Sequence, residues 1–349
     1  AWKGRDLLLG IGGADKHDIT YVNGVRVGAT GQGIETEHWD VARDYPVPAE
    51  LVAGGEAVIA VRVFSFAFAG GFSGPAHRMK LRPADTPEDA GLALCGAWRA
   101  RREHDLGLVV PPPLPEGPGN PNTPHILYDR MVAPLVPYAI RGAVWYQGES
   151  NAGVAQDYGA LQAALIADWR RAWGQGDFPF GLVQLAAYRA PAPFDEQSPW
   201  ALLREAQLEA ARQPGVGMAS AIDIGDELNI HPGNKREVGS RLARWALAEV
   251  YARPGPAQGP RYTGYTLESG AVRARFDHCG SGLVARGGAL QAFFVAGADR
   301  RFHPAQARIE GNTVVASSAQ VPEPVALRYA WSNNPQGCNL YNAEGLPAS

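Results

Sequence analysis

The chain has 349 residues, 46% of them hydrophobic and 19% charged, with a formal net charge of −3 and a pI near 6.3. That length exceeds what one hydrophobic core usually supports, so two or three domains are expected, and the near-neutral balance argues against nucleic acid and anionic membrane as partners. No run approaches the ~18 apolar residues of a membrane span, and 42 glycines, 28 prolines and nine tryptophans favour turn-rich β-structure over helical bundles.

In chain order, residues 1–90 read as antiparallel β. Asp18–Val22 and Val25–Val27 flank Asn23-Gly24, the pair that best tolerates the positive φ angles of a two-residue hairpin. Ala57–Phe68 is a further β-rich run, and a small β-sandwich fits. Seven prolines between Pro111 and Pro124 mark a stiff connector in which no helix persists. Beyond it, Ala143–Tyr146 reads as a short buried strand, and Tyr158, Leu161, Leu165, Ile166, Trp169 and Trp173 recur at helical spacing. Phe180–Ala186 is a second strand. Ser198 reads as an N-cap ahead of Pro199 for a helix to about Arg212, Val216–Ile224 is a third strand, and Val238, Leu242, Trp245 and Val250 mark a last helix. This alternation predicts a parallel, doubly wound α/β sheet over 91–254. From 255 to 349 β patterns return, as in Val272–Phe276 and Val325–Trp331, and predict a C-terminal β-domain. Cys95, Cys279 and Cys338 show neither metal-ligand spacing nor a CxxC pattern; at most one disulfide can form, and no metal or other cofactor is implied.

In an open α/β sheet ligands bind beyond the carboxyl ends of the strands. Two polar clusters fall there: Gln147-Gly148-Glu149-Ser150-Asn151 after the first strand, and Asp223–His231 after the third. His231, on a loop before Pro232, is suited to act as general base towards a hydroxyl nucleophile; its competing reading is a loop histidine bonded to backbone. The amides of Gln147 and Asn151 could stabilise an oxyanion or simply a turn. Glu149 could steer an imidazole, but a buried ion pair with Arg204 is favoured.

Trp145–Ala152, then Ile222–Asp226, then Asn229-Ile230-His231-Pro232-Gly233-Asn234-Lys235, resemble the sialate O-acetylesterase family of SGNH hydrolases. Leu127-Tyr128 to Pro134-Leu135, Asp168–Arg170, Arg204–Gln207, Arg328–Trp331 and Asn339–Asn342 extend the resemblance over nearly the whole chain. It implies a flavodoxin-like SGNH domain and a serine esterase that removes acetyl groups from sugar hydroxyls, with O-acetylated carbohydrate as its partner and an extracellular or periplasmic location. It also implies that His231 is the base, that Gln147, Gly148, Glu149 and Asn151 form the oxyanion and substrate loop, and that residues 1–90 are a galactose-binding-like jelly roll inserted into the catalytic domain.

The chain departs from the family pattern at the nucleophile. None of its twelve serines stands in a Gly-Gln-Ser-Asn context; Ser150 lies in the oxyanion loop and Ser73 is the nearest mimic. The expectation is a fragment that starts within the inserted domain, lacks the first strand of the sheet, is hydrolytically dead and has marginal stability. The position three before His231 is Leu228, so the acid that orients the imidazole is Asp226, with Asp223 and Glu227 as alternatives, or a backbone carbonyl. The competing functions are an acetylxylan-type esterase and a non-catalytic carbohydrate-binding protein in which Trp39, Tyr45 and Trp331 stack on sugars.

Overall fold

A computed structural model describes residues 2–32, 38–66, 70–87, 89–105, 116–136, 138–335 and 337–349. The N-terminal part is two antiparallel sheets built from β1 (Leu7–Gly12), β2 (His17–Val22), β3 (Val25–Thr30), β4 (Arg43–Val47), β5 (Ile59–Phe64), β6 (Met79–Pro83) and β7 (Leu92–Ala93), in the orders β4-β1-β6-β7 and β3-β2-β5. Asn23 (φ 49°) and Gly24 (φ 81°) both take the left-handed conformation that lets β2 turn straight into β3. Strand alternation sends Leu7, Leu9 and Ile11 to one side of β1, where they pack with Val22 and Tyr45 in a single core. Phe68 and Pro111–Pro115 lie outside the described residues; residues 116–124 that follow hold turns and bends only.

The middle part is a three-stranded parallel sheet, β8 (Ala143–Trp145), β9 (Phe180–Gln184) and β10 (Val216–Ser220), in the order β10-β9-β8. Helices α1 (Ala155–Trp173), α2 (Pro199–Ala210) and α3 (Lys235–Trp245) connect and follow the strands. Period-two alternation in β9 assigns them to faces. Phe180 and Leu182 share a core with Ile166 of α1 and Ala210 of α2, whereas Val183 packs with Val238 and Leu242 of α3. The α3 face is close-fitting: a Cβ on Gly217 would lie 1.8 Å from Trp245 Nε1, so glycine there admits the indole. Ser198 caps α2 as expected, its Oγ accepting from Ala201 N at 3.1 Å. The expectation of a buried strand at 143–146 is corrected: among the described residues β8 pairs only with β9, and Val144 is 64% exposed. As an edge strand it has one unpaired side and one open face.

The C-terminal part is antiparallel throughout, from β11 (Arg261–Glu268), β12 (Ala271–Asp277), β13 (Leu283–Ala285), β14 (Phe293–Ala296), β15 (Phe302–Pro304), β16 (Gln306–Glu310), β17 (Thr313–Ser317), β18 (Ala326–Tyr329) and β19 (Leu340–Asn342). It docks on α2, where Arg204 donates to the carbonyls of Ala330 and Ser332, and Ser198 Oγ donates to Asn333 Oδ1 at 2.8 Å. The expected Glu149–Arg204 ion pair is therefore not formed. Arg204 is buried with no carboxylate paired to it among the described residues, its pKa lowered to about 10 by desolvation, and it serves backbone carbonyls of the C-terminal segment. Tyr45 and Trp331, proposed sugar platforms, are packed inside: Tyr45 Oη bonds Asp18, and Arg328 lies over the Trp331 ring.

All three thiols are free, Cys95 exposed, Cys279 buried and Cys338 half-buried. Burial, then the Asp223 charge, pushes the Cys338 thiol up to about 11, and burial raises Cys279 as well. At pH 8 a thiol of pKa 11 is ionised in only about one part in a thousand. One Ellman-reactive thiol per native chain is expected at that pH, and three after unfolding; two fast thiols in the native protein would contradict the burial of Cys338.

Candidate active site

The carboxyl ends of β8, β9 and β10 converge on one edge, and the two polar loops of the sequence meet there. Ile230 packs into the same apolar cluster as Ala152, Tyr158 and Leu185, and Lys235 Nζ stands 4.6 Å above the ring of Tyr146. The Asp223–His231 loop is pinned to the extension of β9 by Asp226 N donating to Ala187 O at 3.1 Å.

In the first loop, Gln147 is held from three directions. Its carbonyl accepts from Tyr158 Oη at 2.8 Å and Gln207 Nε2 at 3.1 Å, and its Nε2 donates to Asn151 Oδ1 at 2.8 Å. That last bond fixes the amide of Asn151 and leaves both its Nδ2 hydrogens unpartnered among the described residues, whereas Gln147 has spent one of its two Nε2 hydrogens on Asn151. Gly148 is buried, and a Cβ there would come within 2.6 Å of Leu203 Cδ2, which accounts for a glycine in the middle of the loop. Glu149 is half-buried, and its charge adds to burial in raising the Tyr146 phenol.

In the second loop the acids have separate tasks. Asp223 takes a bidentate grip from Arg241 (Nη1–Oδ1 2.6 Å, Nη2–Oδ2 2.9 Å) and accepts from Tyr341 Oη at 3.0 Å, so both its oxygens are committed to joining the sheet, α3 and the C-terminal part. Asp226 Oδ1 accepts from the backbone N–H of Leu228 at 2.8 Å and Asn229 at 3.1 Å, shaping the turn into His231. The His231 ring is exposed and has no hydrogen-bond partner among the described residues, while its backbone N–H donates to Asn229 Oδ1 at 2.8 Å.

The residues that hold this loop from outside come from connections between the N-terminal strands and leave no local trace in the sequence. Asn229 Nδ2 donates to Asp40 Oδ2 at 2.8 Å, and Glu227 accepts from Arg78 Nε at 2.6 Å and faces His77 Nε2 at 3.2 Å. Glu227, a candidate orienting acid, is thereby paired to the N-terminal part. Ser73 Oγ donates to Trp39 O at 3.0 Å and so holds the turn that carries Asp40.

Residues 120–248, which take in both loops, match the family described as carbohydrate esterase, sialic acid-specific acetylesterase. Over these residues the chain is similar to that family. The acetylesterase relatives include the mouse sialate O-acetylesterase, 36% identical over 170 residues (44% of this chain, 31% of the mouse protein), and the human one, 34% identical over 147 residues (38% and 28%). A crystal structure of a novel carbohydrate acetylesterase from Xanthomonas citri superposes with a TM-score of 0.62 at 45% identity, covering 65% of this chain and 53% of that one. The chain thus spans about a third of the curated acetylesterases it matches and about half of the solved one. Asp40, His77 and Arg78, which brace the Asp223–His231 loop, lie outside the matched residues. No helix among the described residues is long and apolar enough to cross a membrane.

Proposed function

We propose that this chain forms the base and oxyanion side of an SGNH-type serine esterase that removes O-acetyl groups from glycans outside the cytoplasm, with the jelly roll and C-terminal β-domain as its flanks. The carrying observation is the meeting of the Gln147–Asn151 and Asp223–His231 loops at one sheet edge, with an imidazole on one and amide hydrogens on the other that have no partner among the described residues. In this reading His231 takes the proton of a serine hydroxyl as it attacks the acetyl carbonyl, and Asn151 Nδ2 donates to the oxyanion. The sugar alcohol leaves with that proton, and His231 then activates the water that hydrolyses the acetyl-enzyme. In this reading Asp226 is the orienting acid, through the oxygen that Leu228 and Asn229 do not use, since Asp223 is occupied by Arg241 and Glu227 by Arg78.

The test is acetate release from O-acetylated sialic acid and from acetylxylan. No serine of this chain stands in a Gly-Gln-Ser-Asn context, so the assay compares the 349-residue chain with the product of the whole coding sequence. The whole product is expected to release acetate, the 349-residue chain to be silent, and His231→Ala in the whole product to lose about 10³-fold or more in rate. Full activity in the His231 variant overturns the assignment; the preferred ester identifies the sugar.

A further inference from the structure

On the outward face of the first N-terminal sheet, the register sets Asp44 of β4, Gly10 of β1 and Lys80 of β6 side by side in one row. Arg82 shares the outward face of β6 with Lys80, because Met79, Leu81 and Pro83 alternate inward and are buried. Gly10 has no side chain, so the row has a hole at its centre. A Cβ there would lie 2.5 Å from Arg78 O and 3.0 Å from Asp44 Oδ1, so glycine is required for the strand to approach the Arg78 turn. The hole is a polar pit of about 110 Å³ lined by Gly10, Asp44, Arg78, Lys80 and Arg82. Three cations and one carboxylate thus surround a space large enough for a carboxylate and part of the ring that bears it.

We propose that this pit is a subsite for the carboxylate of an acidic sugar. Guanidinium and ammonium groups on one side supply charge-assisted donors to a carboxylate, and Asp44 on the other accepts from neighbouring ring hydroxyls. The same Arg78 that lines the pit gives its Nε to Glu227, four residues before His231, so a sugar held here lies next to the brace of the candidate catalytic loop. The choice of a sugar as ligand rests on the glycan-esterase reading; the pit itself does not.

Binding is measured on the 349-residue chain by titration calorimetry and amide chemical shifts with N-acetylneuraminate, glucuronate, N-acetylglucosamine, xylose and inorganic phosphate. The acidic sugars are expected to bind and to shift the Gly10 and Lys80 amides. The neutral sugars should not bind there, and phosphate should compete only at higher concentration. Lys80→Gln and Arg82→Gln, each on a half-exposed side chain, should weaken acidic-sugar binding by about fivefold or more, whereas Arg171→Gln on the exposed face of α1 should leave it unchanged. Equal binding of neutral and acidic sugars, phosphate binding as tightly as either acidic sugar, or unchanged affinity in both pit variants overturns the proposal. Acetate release is read separately. Loss of the pit with esterase activity intact, or the reverse, tells which of the two readings has failed.

Discussion

Replacing Arg43 by methionine is expected to cost about 3–5 kcal/mol, because it strips the counter-charge from a carboxylate that has no access to water. Arg43 and Asp18 both have fully buried side chains and meet at 3.0 Å through Nε and Oδ1. The rest of the guanidinium is spent on backbone: Nη1 donates to the carbonyls of His38 and Val41, and Nη2 to those of Ala14 at 3.0 Å and Lys16 at 3.1 Å. Asp18 in turn accepts from Thr20 Oγ1 at 2.8 Å and Tyr45 Oη at 3.0 Å. Burial, with the Asp18 charge adding to it, raises the Tyr45 phenol to about 12, so it stays protonated and donating at any physiological pH. The variant therefore leaves one carboxylate and four carbonyls short of a partner in a site where each unmade bond costs about 1–3 kcal/mol. Asp18→Asn combined with Arg43→Met should recover part of the loss, since it removes the unpaired charge, and urea unfolding of the two singles and the double measures the coupling. A double variant no more stable than Arg43→Met would show that the stranded charge is not the cause.

The same pair bears on the candidate site. His38 and Val41, whose carbonyls Arg43 gathers, bracket Trp39 and Asp40, and Asp40 is the residue that reaches Asn229. Order at the His231 loop is thus set partly by a buried ion pair that joins the two N-terminal sheets. None of this was legible from sequence, where Arg43 and Asp18 sit in strands like any others, 25 residues apart. What could be read locally was read well. Asn23-Gly24 announces its hairpin because two adjacent positive φ angles leave few other choices, and Ser198-Pro199 announces α2 because its side chain and ring satisfy the helix start. Both polar loops were placed at the right edge because strand–helix alternation fixes where strands end. The failures share a cause. Val144 looks like a core residue in an apolar run, but its exposure depends on which strands flank β8, and Arg204 and Glu149 look like complementary charges, but pairing depends on where the C-terminal segment docks. Periodicity reports a residue's own element; its neighbours across the fold are set by tertiary packing.

Gly225→Ala tests whether the seating of the Asp223–His231 loop governs activity. The backbone conformation of Gly225 is not left-handed, so alanine is admissible there on φ alone. Space forbids it: a Cβ would lie 1.9 Å from Ala187 O, 2.5 Å from Ala187 C and 2.6 Å from Ala187 N, all backbone atoms of the β9 extension that cannot swing aside. The loop must lift, breaking the bond from Asp226 N to Ala187 O and displacing the acid and the histidine that follow. A displacement of about 1 Å at a catalytic group costs on the order of 10²-fold in rate, and overpacking of this kind about 1–3 kcal/mol in stability. Gly233→Ala is the control, two residues past His231, where an added Cβ meets nothing within 4 Å and no effect on rate or melting is expected. Acetate release by the whole coding-sequence product should therefore separate the two alanines, with Gly225→Ala impaired chiefly in kcat and Gly233→Ala active. Equal rates for both would mean that the contact with Ala187 does not position His231, and that the braces from Asp40 and Arg78 hold the loop without it.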